Sequence, residues 1–157
     1  TSKNKKIFLN TQINSFNRGY HTVYKYKKVN TLIINEGELR YETRDRNSNL
    51  LILVKKLRKK IITDSVIVTK GNRGALFVNC KDWSSISCPA FNQTSIDTIG
   101  AGDTFLALSA LCVGSKIDKR LTLLISSLAA NFSTSQLGNI STFNYDILKK
   151  QINHILK

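Results

Sequence analysis

Two short runs of apolar and β-branched residues, Thr31-Leu32-Ile33-Ile34 and Asp64-Ser65-Val66-Ile67-Val68-Thr69, set the strongest limit on how this chain can fold. Both read as strands, and the second is nearly continuous in apolar residues, as a buried parallel strand should be. Helical patterns lie between them. Glu36 to Arg44 is one. Asn49 to Ile62 is the other, with Leu50, Leu51, Leu53, Val54, Leu57 and Ile61 on one side and a basic outer face. Strand, helix and strand in alternation predict an α/β domain with a mostly parallel sheet and right-handed connections. Lys6 to Asn10 reads as an earlier strand. Ala75 to Asn79 reads as a later one after a hairpin-like turn, and Ser84 to Ser87 as a short one ended by Pro89. Thr11 to Gly19 is a polar loop. Tyr20 to Lys28 fits a short helix or a strand.

The remaining chain reads as helical. Thr104 to Val113 is mostly apolar and expected to be buried, with Gly114 as its C-cap. Asp118 to Thr134 should turn Leu121, Leu124, Ile125, Leu128, Ala129 and Phe132 inward. Phe143 to Leu156 is a last amphipathic helix.

At 157 residues the chain is read as a single domain, 1–157, long enough to bury a core. Hydrophobic residues at 41% and charged residues at 22% fit a globular protein rather than a disordered one. No apolar run is long enough to span a membrane, and none follows the basic start as in a signal peptide. A chain that opens on Thr1 and lacks Met throughout is expected to be processed or a piece of a longer one. Cys80, Cys88 and Cys112 form no C-x-x-C pair, which favours reduced thiols and a cytoplasmic location over a disulfide framework or a zinc site. His21 and His154 are isolated and read as surface or structural residues.

The formal charge is +14, from 24 basic and 10 acidic residues. The densest run is Lys55 to Lys60; a second, Lys25, Lys27 and Lys28, is interleaved with the aromatics Tyr20, Tyr24 and Tyr26. Such a balance can serve nucleic acid, but a solvated helix face in a Lys-rich chain explains it as well, and nucleic acid is not expected as a partner.

Chemistry concentrates at Asp97-Thr98-Ile99-Gly100-Ala101-Gly102-Asp103, where a polar extended segment passes through a glycine turn into the apolar helix. A helix start leaves N–H groups without internal partners, and the helix dipole adds positive potential there, so the turn favours an anion. Asp103 falls in the first turn. A carboxylate there suits a general base for a hydroxyl attacking a phosphoryl group. A plain loop with an Asp N-cap fits the same residues. Asn35 and Glu38 form a second spot, where a strand passes into a helix. They are spaced to share a hydrated cation, or to act as an Asn cap with an acid in the first turn.

The Gly-rich stretch resembles the D-T-x-G-A-G-D signature of the ribokinase-like, or PfkB, family of sugar kinases. By that resemblance Gly100, Ala101 and Gly102 form an anion hole for the transferring phosphoryl group, and Asp103 is the catalytic base. Asn35-Glu36-Gly37-Glu38 resembles the family's N-x-x-E motif, which organises Mg²⁺ and phosphate through water. Thr69, Gly71 and Gly74, in T-x-G-x-x-G, resemble the segment bordering the nucleotide. Pro89-Ala90-Phe91 resembles the lead into the glycine turn. Ala129 to Gly138 is similar to the helix and loop that cover the adenine. Ser127 stands where related kinases often carry Asn, and Ser127 and Asn131 are the candidate base contacts. Asp97 and Ile99 match positions that hold a monovalent cation, K⁺ in particular.

The resemblance implies an ATP-dependent, Mg²⁺-assisted kinase acting on a sugar or sugar-phosphate, with in-line transfer to a sugar hydroxyl. It covers the family's carboxy-terminal half. Nothing here matches the amino-terminal half, with its early strands, sugar-binding residues and lid, so that half or another subunit is the expected partner. Asn35 to Arg40 and Gln136-Leu137-Gly138 look most like heptose-7-phosphate kinases or the kinase module of bifunctional ADP-heptose synthesis proteins. Two other readings compete: a non-catalytic relative that binds nucleotide or a protein, and a basic nucleic-acid-binding domain on the same fold. Ligand sites in such sheets lie beyond the strand carboxyl ends, where Asn35, Thr69 and the Asp97 turn are all expected.

Overall fold

The computed structural model describes residues 5–13, 16, 19–91, 100–134 and 143–155. The chain forms two compact units: Thr1–Gly71 with Ala75–Ser87, and Asn72–Gly74 with Cys88–Lys157.

The first unit is built on a sheet of β1 (Phe8–Leu9), β2 (Lys28–Asn35), β3 (Ile62–Thr69), β4 (Ala75–Asn79) and β5 (Ser85–Cys88), in that spatial order. β1, β2 and β3 are parallel, and β4 runs antiparallel to β3. The mostly parallel sheet is therefore present. The connection from β3 to β4 is a 3₁₀ turn at Gly71–Arg73, far too short for a parallel crossover, so β4 must reverse. Two helices, α1 (Glu36–Thr43) and α2 (Leu50–Arg58), link β2 to β3. Leu32, Ile34, Val66, Val68 and Val78 from the strands form one core with Leu39 of α1 and Leu53, Val54 and Leu57 of α2. Fully burying one such side chain stabilises the fold by about 1.5–3 kcal/mol.

α2 stops at Arg58, short of the expected Ile62. The Lys60 and Ile61 amides turn back to the Leu57 carbonyl, and the Ile62 amide already donates to the Lys27 carbonyl at 3.0 Å. Pairing with β2 thus ends the helix. The undecided stretch from Tyr20 is a 3₁₀ turn at Val23–Lys25 running into β2. Its anchor is the buried carboxylate of Glu42, which accepts from Thr22 Oγ1 at 2.6 Å and from the Val23 amide at 3.2 Å. Buried acids need such partners.

The second unit contains α3 (Ala101–Gly114), α4 (Lys119–Thr134) and α5 (Tyr145–Ile155). α3 was expected to be buried along its apolar length, but only Phe105, Ser109 and Cys112 are, and Leu111 is 66% exposed. α4 likewise buries Thr122, Leu123, Ser126, Leu128 and Ala129, whereas Leu121, expected inward, is 51% exposed. Thr122 and Ser126, spaced i, i+4, take the buried face of α4 instead. Ser109 and Ser126 meet through a 2.9 Å hydroxyl hydrogen bond that satisfies both in the interface. At the far end of α4, the Phe132 and Phe143 rings lie 5.8 Å apart.

The cysteines are free thiols, with Cys80 and Cys112 buried. Burial pushes the Cys80 thiol up to about 11, with the Asp64 charge adding and Arg58 opposing. Burial also raises Cys112. Thiolates are the reactive form, so Ellman titration of the native chain at pH 8 should find Cys80 and Cys112 silent until denaturant is added. Rapid modification of either in the folded chain would contradict this packing.

Candidate active site

The carboxyl ends of the parallel strands carry the polar residues of the first unit. β2 ends at Asn35 and β3 at Thr69, and the two are direct register partners. Gly71, with φ +58°, turns the chain just beyond Thr69, and nothing lies within 4 Å of where its Cβ would be. Asn10 follows β1 at the same end and donates through Nδ2 to the Ile33 carbonyl at 3.0 Å. Asn35, Glu38, Thr69 and Gly71 are thus gathered at one edge of one unit.

Asn35 and Glu38 form a complete capping box. Asn35 Oδ1 accepts from the Glu38 amide at 2.8 Å, and Glu38 Oε2 accepts from the Asn35 amide at 3.0 Å. The other carboxylate oxygen, Oε1, accepts from the Ile13 amide at 3.4 Å, drawing the segment after β1 over the start of α1. Glu38 is buried, and no lysine or arginine pairs with it among the described residues. Burial pushes its carboxyl above the ordinary range; the two amides work against this and the Glu42 charge adds to it. With a folded pKa above the unfolded one, Glu38 favours the fold below the unfolded value. That contribution is lost as pH rises through the folded value. Thr11, next in the chain after Asn10, is fully buried, and its hydroxyl has no hydrogen-bond partner among the described residues. Sequence reasoning passed over Asn10 and Thr11. The available signal was an Asn closing an apolar run, the same signal that marked Asn35.

The second unit holds the glycine turn. Gly100 is the N-cap of α3 with φ 82° and ψ −12°, a left-handed conformation that glycine adopts without strain. Among the described residues no side chain caps the helix, so none of them claims its first amides. Ala101 and Gly102 form the first turn, and among the described residues nothing lies within 4 Å of where a Gly102 Cβ would sit. Asp103 is exposed in that turn. The Asp N-cap alternative is excluded, because the cap is Gly100 and Asp103 lies inside the helix. Gly74, with φ +84°, lies against the backbone of Cys88, Pro89 and Ala90.

Ser127 is half-buried on α4. Asn131 lies in its last turns, with Oδ1 buried and without a hydrogen-bond partner among the described residues. Asp97, Ile99 and Gln136 to Gly138 lie outside the described residues. Among the described residues no cluster of three or more His, Cys, Asp or Glu could hold a metal on its own. None of the described helices is long and apolar enough to cross a membrane.

The first unit thus carries an asparagine–glutamate helix start beside a Thr–Gly turn, and the second a glycine-opened helix bearing Asp103. The chain belongs to the pfkB family of carbohydrate kinases, whose model matches residues 1–143. It is 26% identical over 127 residues to the bifunctional protein HldE of Koribacter versatilis (strain Ellin345), covering 79% of this chain and 26% of that protein. Among solved structures it is similar to ribokinase from Giardia lamblia, with a TM-score of 0.76, 20% identity and coverage of 96% of this chain and 50% of that one. It is also similar to Arabidopsis thaliana ribokinase complexed with ribose and ATP, with a TM-score of 0.61, 24% identity and coverage of 70% of this chain and 36% of that one. The chain thus spans half or less of each of these relatives.

Proposed function

We propose that this chain is the nucleotide-side half of an ATP-dependent sugar or sugar-phosphate kinase. The observation that carries this reading is the uncapped start of α3, opened by left-handed Gly100 and bearing Asp103 in its first turn. An uncapped helix start suits an anion, and the open space at Gly102 suits close approach of a phosphoryl group. In this reading the amides from Gly100 to Gly102 stabilise the charge of the transferring group, and Asp103 takes the proton of the attacking sugar hydroxyl. Thr69, Gly71 and Gly74 border the nucleotide, and Ser127 and Asn131 face its base. The unpartnered Asn131 Oδ1 supports the last assignment, since a base amino group would satisfy it.

Mg²⁺, when bound, would neutralise charge on the ATP phosphoryl oxygens. The residues fit it as a hydrated ion. Glu38 is a buried carboxylate with no basic partner among the described residues, yet both its oxygens already accept amide hydrogens. Contact through water keeps the capping box intact. Asp97 and Ile99 are proposed for a monovalent cation. The resemblance of Asn35 to Arg40 to heptose-7-phosphate kinases, with the likeness to the bifunctional protein HldE beside it, supports a sugar-phosphate as acceptor, its contacts supplied by an amino-terminal half or another subunit.

Calorimetric titration with Mg·ADP and Mg·ATP tests the reading. Saturable binding that is lost when EDTA replaces Mg²⁺ is expected. A folded chain that binds neither nucleotide, even mixed with the amino-terminal half of a relative, would remove the support for it.

A further inference from the structure

We propose that the amino-terminal rim of the sheet in the first unit is a docking surface for single-stranded nucleic acid. The two basic runs lie far apart in sequence, and the fold joins them. Lys28 is the register partner of Ile62, and the Ile62 amide donates to the Lys27 carbonyl at 3.0 Å. The end of α2, with Lys59 and Lys60, therefore lies beside the start of β2. Lys60 Nζ lies 4.6 Å from the centre of the Tyr24 ring, tying the two runs together through side chains. Other basic residues come to the same rim. The Ile7 carbonyl accepts from the Asn30 amide at 2.8 Å, which brings Lys5 alongside. The Cys80 amide donates to the Asp64 carbonyl at 2.9 Å, which brings Lys81.

These lysines are all exposed. Asp64 is the acid among them and is itself paired with Lys81 at 3.6 Å. Lys55 and Lys56 stay on the face of α2, one over the Trp83 ring and the other paired with Asp45, whereas Lys59 and Lys60 join Lys25, Lys27, Lys28 and Lys5 at one end of the sheet. Pooled positive charge recruits a polyanion. Tyr26, 37% exposed between Lys25 and Lys27, adds an aromatic face among the charges. Unpaired bases can stack on such a face, whereas a duplex hides its base faces and an acidic peptide has none to offer. The eight residues of β2 separate this rim from Asn35, so a bound strand would leave Asn35 and its register partner Thr69 uncovered.

The test is fluorescence anisotropy of the full chain with a labelled oligouridylate of roughly 20 nucleotides, across a salt series. Saturable binding is expected, with log K falling linearly against log salt. Lys27→Gln with Lys59→Gln should weaken it about tenfold and reduce the slope by about 1.4. Tyr26→Ala should weaken binding without changing the slope. Lys149→Gln with Lys150→Gln, which removes the same charge from α5, should change affinity less than about twofold. Each variant is first checked for native circular dichroism. Equal losses from both lysine pairs would reduce the effect to net charge and overturn the proposal. So would duplex of the same length binding as tightly, polyglutamate competing as well as unlabelled oligouridylate, or no saturable binding at low salt.

Discussion

Asp103→Asn should lower kcat for sugar phosphorylation by about two to four orders of magnitude in the active assembly, the usual worth of a positioned general base. Nucleotide affinity should hold or tighten slightly. Asp103 is exposed in the first turn of α3, so an isosteric change there should leave the fold intact. Asparagine keeps its shape but cannot take a proton at neutral pH. It also removes a negative charge from beside the bound phosphates, which can only ease their approach. Stopped or quenched assays of phosphoryl transfer, run beside calorimetry with Mg·ADP, separate the two effects. Lost nucleotide binding in a well-folded variant would mean that Asp103 holds the ligand rather than the proton. Unchanged turnover would move the base elsewhere.

Local pattern and tertiary choice divide what was readable before the structure. β2 and β3 were legible because their buried apolar runs leave few alternatives, and the turn between β3 and β4 because its glycines punctuate it. Val23–Lys25 was not legible. Its conformation depends on Glu42, a residue of α1 whose buried carboxylate collects Thr22 and the Val23 amide. Phe105, Leu128 and Ala129 lie inward on α3 and α4 as their spacing implies, but Leu111 and Leu121 do not. Hydrophobic spacing placed Leu111 and Leu121 inside, but Ser109 and Ser126 form the contact, and two serines announce a hydrogen bond only when both helices are in place. In the candidate site, the pairing of Asn35 with Glu38 was visible as spacing. The spacing could not reveal that both carboxylate oxygens are already held by amides, one of them from Ile13. In the proposed cation site that detail favours water-mediated over direct contact. The register pairing of Asn35 with Thr69 is a property of the sheet, and it makes two separate motifs neighbours.

Three glycines, each changed to alanine, should give three different outcomes in urea unfolding of this chain. Gly74→Ala carries the largest cost. Its φ of +84° is strained for alanine, and the new Cβ would lie 2.0 Å from the Cys88 carbonyl oxygen, 2.6 Å from the Pro89 carbonyl carbon and 2.8 Å from the Ala90 amide nitrogen. All three are backbone atoms, so no side chain can swing away. Left-handed strain of about 1–2 kcal/mol adds to an overpacking cost of about 1–3 kcal/mol or more. Gly71→Ala shares the positive φ, +58°, but meets nothing within 4 Å. It should show the strain alone, about 1–2 kcal/mol, and the difference between the two variants measures the clash. Gly102→Ala meets no neighbour and lies inside α3, so it should stabilise the fold by about 0.5–1 kcal/mol. Yet in the proposed function its methyl fills the space through which a phosphoryl group approaches the helix start. A Gly102→Ala chain that is more stable but binds Mg·ATP more weakly would show that this glycine serves the ligand rather than the fold. Unchanged nucleotide binding would leave the open space at Gly102 without a role in phosphoryl transfer.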